Sequence, residues 1–206
     1  MTWPPELPFE FALERARELD RSALGMLYRR FMPVVYRYVL ARVGSVPTAE
    51  DVTSETFFAI IDGIASMRAH DELTFAAWVL GIARHKVAMY FRRRQLGERE
   101  LGTLPEDEQP VATAQAGDPL VVIMARESWA EVVAALDKLT EDQQTVVLYR
   151  CVLGYSTGEV AQLLQKQPNA IRVLQFRALA SLASHLGMAD QGPEQSQITA
   201  GEGGKD

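Results

Sequence analysis

The sequence predicts an all-α fold of two small helical domains joined by a flexible acidic linker. Three observations lead there. Apolar residues recur at helical spacing through two long stretches, and nowhere do Val, Ile and aromatics alternate with polar residues as a half-buried strand requires. Between the stretches, Gly97 to Gly117 is rich in Gly, Pro, Thr, Gln and acid and has no period. A structureless run of that length is uncommon inside one compact domain. Near the C-terminal end, Gly154 to Leu182 reads as two short helices around a tight turn, the second with a basic, polar face. The expected units are residues 1–96, a linker 97–117, a second unit 118–187 and a disordered tail 188–206.

In chain order, a first helix is expected from Glu6 to Leu19 and a second from Ser22 to Val43, which Pro33 should bend or break. Gly44 to Pro47 reads as a turn. Thr48 with Asp51 has capping-box spacing and opens a helix to Met67, with Val52, Phe57, Phe58, Ile60, Ile61 and Ile64 on its apolar side. Ser66 to Glu72 is a polar loop. A helix from Leu73 to Gln95 ends in Arg92-Arg93-Arg94, and Trp78 reads as a core anchor rather than a stacking platform. Helices from Leu120 to Leu136 and from Glu141 to Val152 follow, the latter opened by Thr140 with Gln143.

In the terminal pair, Ser156 with Glu159 forms another capping-box pattern, and Pro168 suits a helix start. Ile171, Leu174, Ala178, Leu179 and Leu182 make the apolar stripe of the last helix. Arg172, Gln175, Phe176 and Arg177 are left for its other faces. That layout is a helix-turn-helix, whose second helix enters the DNA major groove. By pattern alone, a solvated face on a small bundle fits as well.

Charge narrows the choice. The net charge of −6 argues against a chain that grips nucleic acid over its whole surface. Yet Gly63 to Arg99 holds seven cations against three acids, and Glu100 to Val122 holds five acids and no base. A basic patch beside an acidic stretch fits local phosphate binding. The single cysteine, Cys151, reads as a buried small hydrophobe in a reducing compartment. The three histidines are far apart and no Cys/His cluster exists, so neither metal nor cofactor is expected. No nucleophile–base pair suggests an enzyme. No apolar run approaches a membrane span, and no secretory signal precedes the first helix.

Two blocks resemble the extracytoplasmic-function (ECF) group of bacterial RNA polymerase sigma factors. Leu27 to Arg94, with AEDVTSETF and FAAWVLGIARHKVAMYFRRR, is similar to the family's second domain. Ala134 to Leu182, with ALDKLTEDQQTVVLYRCVLGYSTGEVAQLL and the recognition helix, is similar to its fourth. The resemblance implies a dissociable, non-enzymatic, cytoplasmic subunit without cofactor. It would dock on core RNA polymerase and direct promoter recognition. An anti-sigma factor is implied too, masking both domains and able to hold the chain near the membrane without membrane insertion. The alternatives are a helix-turn-helix regulator acting without polymerase and a sigma-like decoy that binds proteins only.

The resemblance also implies site residues. Asn169, Arg172, Val173, Phe176 and Arg177 fall where the family meets the upstream, minus-thirty-five element. Arginine there can grip guanine bidentately or bond phosphate, and Phe176 touches a thymine methyl or serves the core. The loop Ser66 to Glu72 matches the part that captures an unstacked base of the downstream, minus-ten element. His85 replaces the family's usual Asn and Ala76 its usual Arg. Arg84, Lys86, Arg92, Arg93 and Arg94 are expected on the DNA backbone. Glu50, Asp51, Ser54 and Glu55 match the face that meets the clamp helices of the largest polymerase subunit, with Ser54 in place of the usual Gln. The acidic linker either lies in the polymerase's RNA channel or is a plain tether.

Overall fold

The first helix, α1 (Phe9–Arg17), buries Phe9, Ala12, Leu13 and Ala16. In this computed structural model, which describes residues 8–101 and 129–187, the described residues form helices and their connections, with no ladder of strands. Asp20 caps α2 (Arg21–Val43), accepting from the Ala23 amide at 2.9 Å. Pro33 lies inside α2 without breaking it. The helix stops at Gly44, whose φ of 72° is a left-handed conformation that suits glycine.

Helix α3 (Val46–Gly63) starts earlier than expected. Ser45 is extended at the N-cap and Pro47 sits in the first turn, where proline favours a start. The Thr48–Asp51 capping box therefore does not form. Thr48 is buried within the helix, its hydroxyl donating to Ser45 Oγ at 3.2 Å. A 3₁₀ turn (Ile64–Ser66) and a short loop lead to α4 (Glu72–Leu101), opened by Asp71, which accepts from the Thr74 amide at 2.8 Å. That bond holds the Asp71 carboxyl below its usual range. α4 runs past the expected stop at Gln95, so the expected linker begins within helix. The rest of the expected linker from residue 102, residues 120–128 of the expected helix and the expected tail lie outside the described residues.

The core of α1–α4 is aromatic at one end. Phe31 stands edge-on to Phe75 with centroids 4.9 Å apart, and Phe9 lies 6.3 Å and 5.8 Å from the two. Edge-to-face rings add about 0.5–1.5 kcal/mol beyond their buried area. Trp78 packs at 5.7 Å from Phe75 as the expected anchor.

The second helical group comprises α5 (described from 129 to 137), α6 (Glu141–Val147), a π-helical turn (Leu148–Val152), α7 (Thr157–Leu163) and α8 (Pro168–His185). Both expected capping boxes, Thr140 with Gln143 and Ser156 with Glu159, are complete. The hydroxyl and then the amide of Ser156 hold the Glu159 carboxyl below its usual range. The second box therefore contributes above the ordinary carboxylate range and is lost as acid protonates Glu159. Val146, Leu148, Val160, Ile171 and Ala178 are fully enclosed.

Cys151 is exposed, against expectation. The π turn closes its ring five residues apart, with the Leu153 amide on the Leu148 carbonyl at 2.9 Å. The extra residue rotates Cys151 off the apolar stripe. The two helical groups share one continuous buried core, in which Tyr38 of α2 meets Tyr149 of the π turn edge-on at 6.1 Å.

Candidate nucleic-acid interface

Helix α8 is aimed by its neighbours. Pro168 starts it after a turn in which Gln165 takes a positive φ of 53°. Ile171 and Ala178 are buried against α6 and α7, which fixes the rotation of the helix. Asn169, Arg172, Val173 and Phe176 then fall at 3–4-residue spacing on the opposite side, with Arg177 beside them, and all five are exposed. Phe176 is 75% exposed, which settles it as a surface residue rather than core. Leu179, expected in the stripe, is exposed as well, at the edge of that face.

A residue missed by sequence reasoning holds this geometry. Arg150 donates from Nε to Gln175 Oε1 of α8 at 3.2 Å and from Nη1 to the Tyr155 carbonyl. It thereby clamps the loop before α7 to α8. Gln175 lies 25 residues away in sequence, so no motif signals the contact.

The downstream set runs along α4 from Arg84 to Arg94 but splits over three sides. Arg84 turns toward α6, where Nε lies 3.7 Å from Glu141 Oε1. Lys86 and Arg93, seven residues apart and so on one side, both reach Glu55 of α3 at 3.7 and 3.3 Å. His85 and Arg92 form a third, outward side, and both are exposed. Arg94 is exposed near the helix end. The loop before α4 is held from α1, where Arg17 donates from Nη2 to the Ala69 carbonyl. That tether joins residues 52 apart and also has no sequence signal.

On α3, Glu50, Asp51 and Ser54 share an exposed side. The Ser54 hydroxyl donates back to the Glu50 carbonyl at 2.9 Å, so it is engaged within its own helix. Glu55 stands apart from the other three through its pairs with Lys86 and Arg93. The structure adds two residues to this side. Phe58 is 70% exposed and Ile61 45%, in contrast to the core positions expected for both. They lie one turn and two turns on from Ser54, so an apolar knob sits beside an acidic rim. Large exposed apolar groups rimmed by polar ones mark protein contact surfaces.

Between the helical groups lies an open cleft of about 420 Å³, lined among others by Tyr38, Arg42, Arg84, Phe91, Asp137 and Glu141. Arg42 stacks over the Phe91 ring at 5.5 Å and bonds Asp137 Oδ1 at 3.3 Å. Burial pushes the Asp137 carboxyl up against the pull of Arg42, and burial lifts the Tyr38 hydroxyl to about 12.

Comparison with known proteins falls on the same two blocks. The family model of Sigma-70 region 2 matches residues 27–96, and that of Sigma-70, region 4 matches residues 129–182. Over 171 residues the chain is 34% identical to the ECF RNA polymerase sigma factor BldN of Streptomyces coelicolor, covering 83% of this chain and 63% of BldN. The match thus spans less than two thirds of that relative. Over 174 residues it is 34% identical to the ECF RNA polymerase sigma factor SigD of Mycobacterium tuberculosis, covering 81% of this chain and 78% of SigD. Among solved structures, CnrH in complex with the cytosolic domain of CnrY superposes with a TM-score of 0.61 at 20% identity, covering 87% of this chain and 97% of CnrH. At that identity the likeness is one of fold.

Proposed function

The chain belongs to the extracytoplasmic-function RNA polymerase sigma factors, and from that premise we propose how its surfaces divide the work of transcription initiation. Residues 1–96 form the unit that docks on core polymerase and reads the minus-ten element. Residues 118–187 form the unit that reads the minus-thirty-five element, with 97–117 as the tether, its first residues up to Leu101 continuing α4, and 188–206 as a tail. The chain makes and breaks no covalent bond itself; RNA synthesis belongs to the polymerase. It acts in the cytoplasm, and an anti-sigma factor restrains it. Among the described residues, no helix is long and apolar enough to cross a membrane.

One observation carries this reading: a single chain presents an acidic, apolar-knobbed side on α3 as well as a basic recognition helix on α8. A regulator that works without polymerase needs only the second. A protein-binding decoy needs only the first. The acidic rim of Glu50 and Asp51 complements basic partner residues and fixes register, while Phe58 and Ile61 supply the desolvated anchor. The test is gel filtration of the chain with its host's core polymerase. Co-elution supports the reading, and separate elution in the absence of any inhibitor contradicts it.

On DNA, Arg172 and Arg177 read base edges or phosphates, Asn169 bonds phosphate at the helix start, and Val173 and Phe176 give apolar contact to thymine methyls. His85 faces outward, free to stack on an unstacked base, where its imidazole bonds in a different pattern from an amide. Arg92, Arg93 and Arg94 grip the backbone. Replacing these three with Ala should weaken promoter binding evenly across sequences and flatten the plot of log affinity against log salt by about 0.7–0.9 for each phosphate no longer neutralised. A weakening confined to particular promoters would reassign the run to base reading.

A further inference from the structure

The loop between the 3₁₀ turn and α4 has its backbone tied down. The Ala69 amide donates to Met67 Sδ at 2.9 Å, and Met67 is buried. The His70 and Asp71 amides both donate to Thr74 Oγ1 at 3.3 Å, and that hydroxyl donates to the Asp71 carbonyl at 3.1 Å. Three successive amides are thus paired within the loop. The side chains of Arg68 and His70, by contrast, are exposed. Free side chains on a fixed backbone make a preorganised binding loop, which has little ordering left to do when a ligand arrives.

Two arginines brace this loop from the helices behind it. Arg17 of α1 donates from Nη2 to the Ala69 carbonyl, and α1 packs on the 3₁₀ turn. Arg30 of α2 donates from Nε to Glu72 Oε1 at 2.9 Å, and its Nη2 reaches the same oxygen. One brace acts at the middle of the loop and the other at its junction with α4. Neither arginine is among the residues assigned to DNA or to polymerase. Arg17 is also costly to keep. Its Nε is buried with no hydrogen-bond partner among the described residues. A buried, unpaired donor lowers stability, so a residue retained with one points to function rather than to packing.

We propose that Arg17, seconded by Arg30, is a positioning residue for promoter opening: it holds residues 67–72 in the shape that receives an unstacked base of the minus-ten element. The proposal rests on the reading of Ser66 to Glu72 as the base-capturing loop. Arg17 acts on the backbone and touches no nucleotide. Without it the loop spends only part of its time in the receiving shape, and affinity falls by that fraction.

Binding of single-stranded minus-ten oligonucleotides to the chain with its host's core polymerase, followed by fluorescence anisotropy, tests this. Arg17→Met keeps an apolar stem and removes the donors. It should weaken binding of the intact oligonucleotide by about tenfold and leave the affinity for core polymerase unchanged. Arg17→Lys, which keeps a donor, should recover part of the loss. A set of oligonucleotides with one abasic position each then removes the captured base in turn. Where loss of the base costs the parent most, Arg17→Met should cost nothing further, because base and brace are coupled. Undiminished binding by Arg17→Met, or the same loss on that abasic oligonucleotide as on the intact one, overturns the positioning role. A parent indifferent to every abasic position would instead overturn the base-capture reading itself.

Glu72→Gln keeps the proposal testable if Arg17→Met misfolds. The Glu72 side chain is 41% exposed, and the change leaves an acceptor for Arg30 while removing the charge. It should weaken binding of the intact oligonucleotide by about two- to fivefold and spare the same abasic one. No loss, or an equal loss on both, overturns the brace.

Discussion

Replacing Asp51 with Lys and Phe58 with Ser should abolish stable binding to core polymerase while leaving the fold intact. Both side chains are exposed on α3, and Phe58 is mostly in water, so little native packing is removed. In a protein interface, truncating a central aromatic anchor costs at least about 2 kcal/mol. Setting like charges opposite each other costs several more. Together these weaken binding by three orders of magnitude or more on the scale of about 1.4 kcal/mol per tenfold. Surface binding to immobilised core measures the affinity, and a thermal melt by circular dichroism checks the fold. Glu55 is a poor choice for this experiment, because its carboxylate holds Lys86 and Arg93. Reversing it would disturb α4 as well as the docking side. Retained binding of Asp51→Lys/Phe58→Ser would move the polymerase contact elsewhere.

Arg172→Ala should cost about 1–3 kcal/mol of discrimination at one or two base pairs of the upstream element. Arg172 is exposed, with no ion-pair partner among the described residues, so its removal leaves α8 in place. Ile171 and Ala178 still hold the rotation of the helix, and Arg150 still clamps Gln175. Arg172→Lys should not rescue discrimination, because a point charge cannot make the forked contact. It should rescue affinity if the contact is to phosphate. Selection of bound sequences from a randomised upstream element, compared for wild type and both variants, separates these outcomes. Unchanged selectivity in Arg172→Ala removes it from base reading.

The parts of this molecule that are legible in the sequence are those governed by local chemistry. Thr140 with Gln143 and Ser156 with Glu159 each satisfy free amides within four residues, and both boxes form as spaced. Pro168 and the stripe of Ile171 and Ala178 likewise set α8. Misplaced residues sit at the edges of apolar stripes. Phe58, Ile61 and Leu179 all fall at helical spacing, and periodicity cannot tell the margin of a buried side from its centre. Cys151 is turned outward by a π turn, which has no sequence mark.

Tertiary partners are illegible for a different reason. Arg17 on the Ala69 carbonyl, Arg150 on Gln175 and Arg84 beside Glu141 join residues far apart in the chain. The contact between the two helical groups shows the same limit. Tyr38 is buried on α2, but nothing in its spacing says that Tyr149 covers it.

Run-off transcription on a library of genomic fragments tests the central claim most directly. Core polymerase alone should start without preference. Core polymerase with this chain should give discrete start sites, with shared motifs centred near minus ten and minus thirty-five. Transcripts that do not change when the chain is added, with core of proven activity and no inhibitor present, would contradict the account.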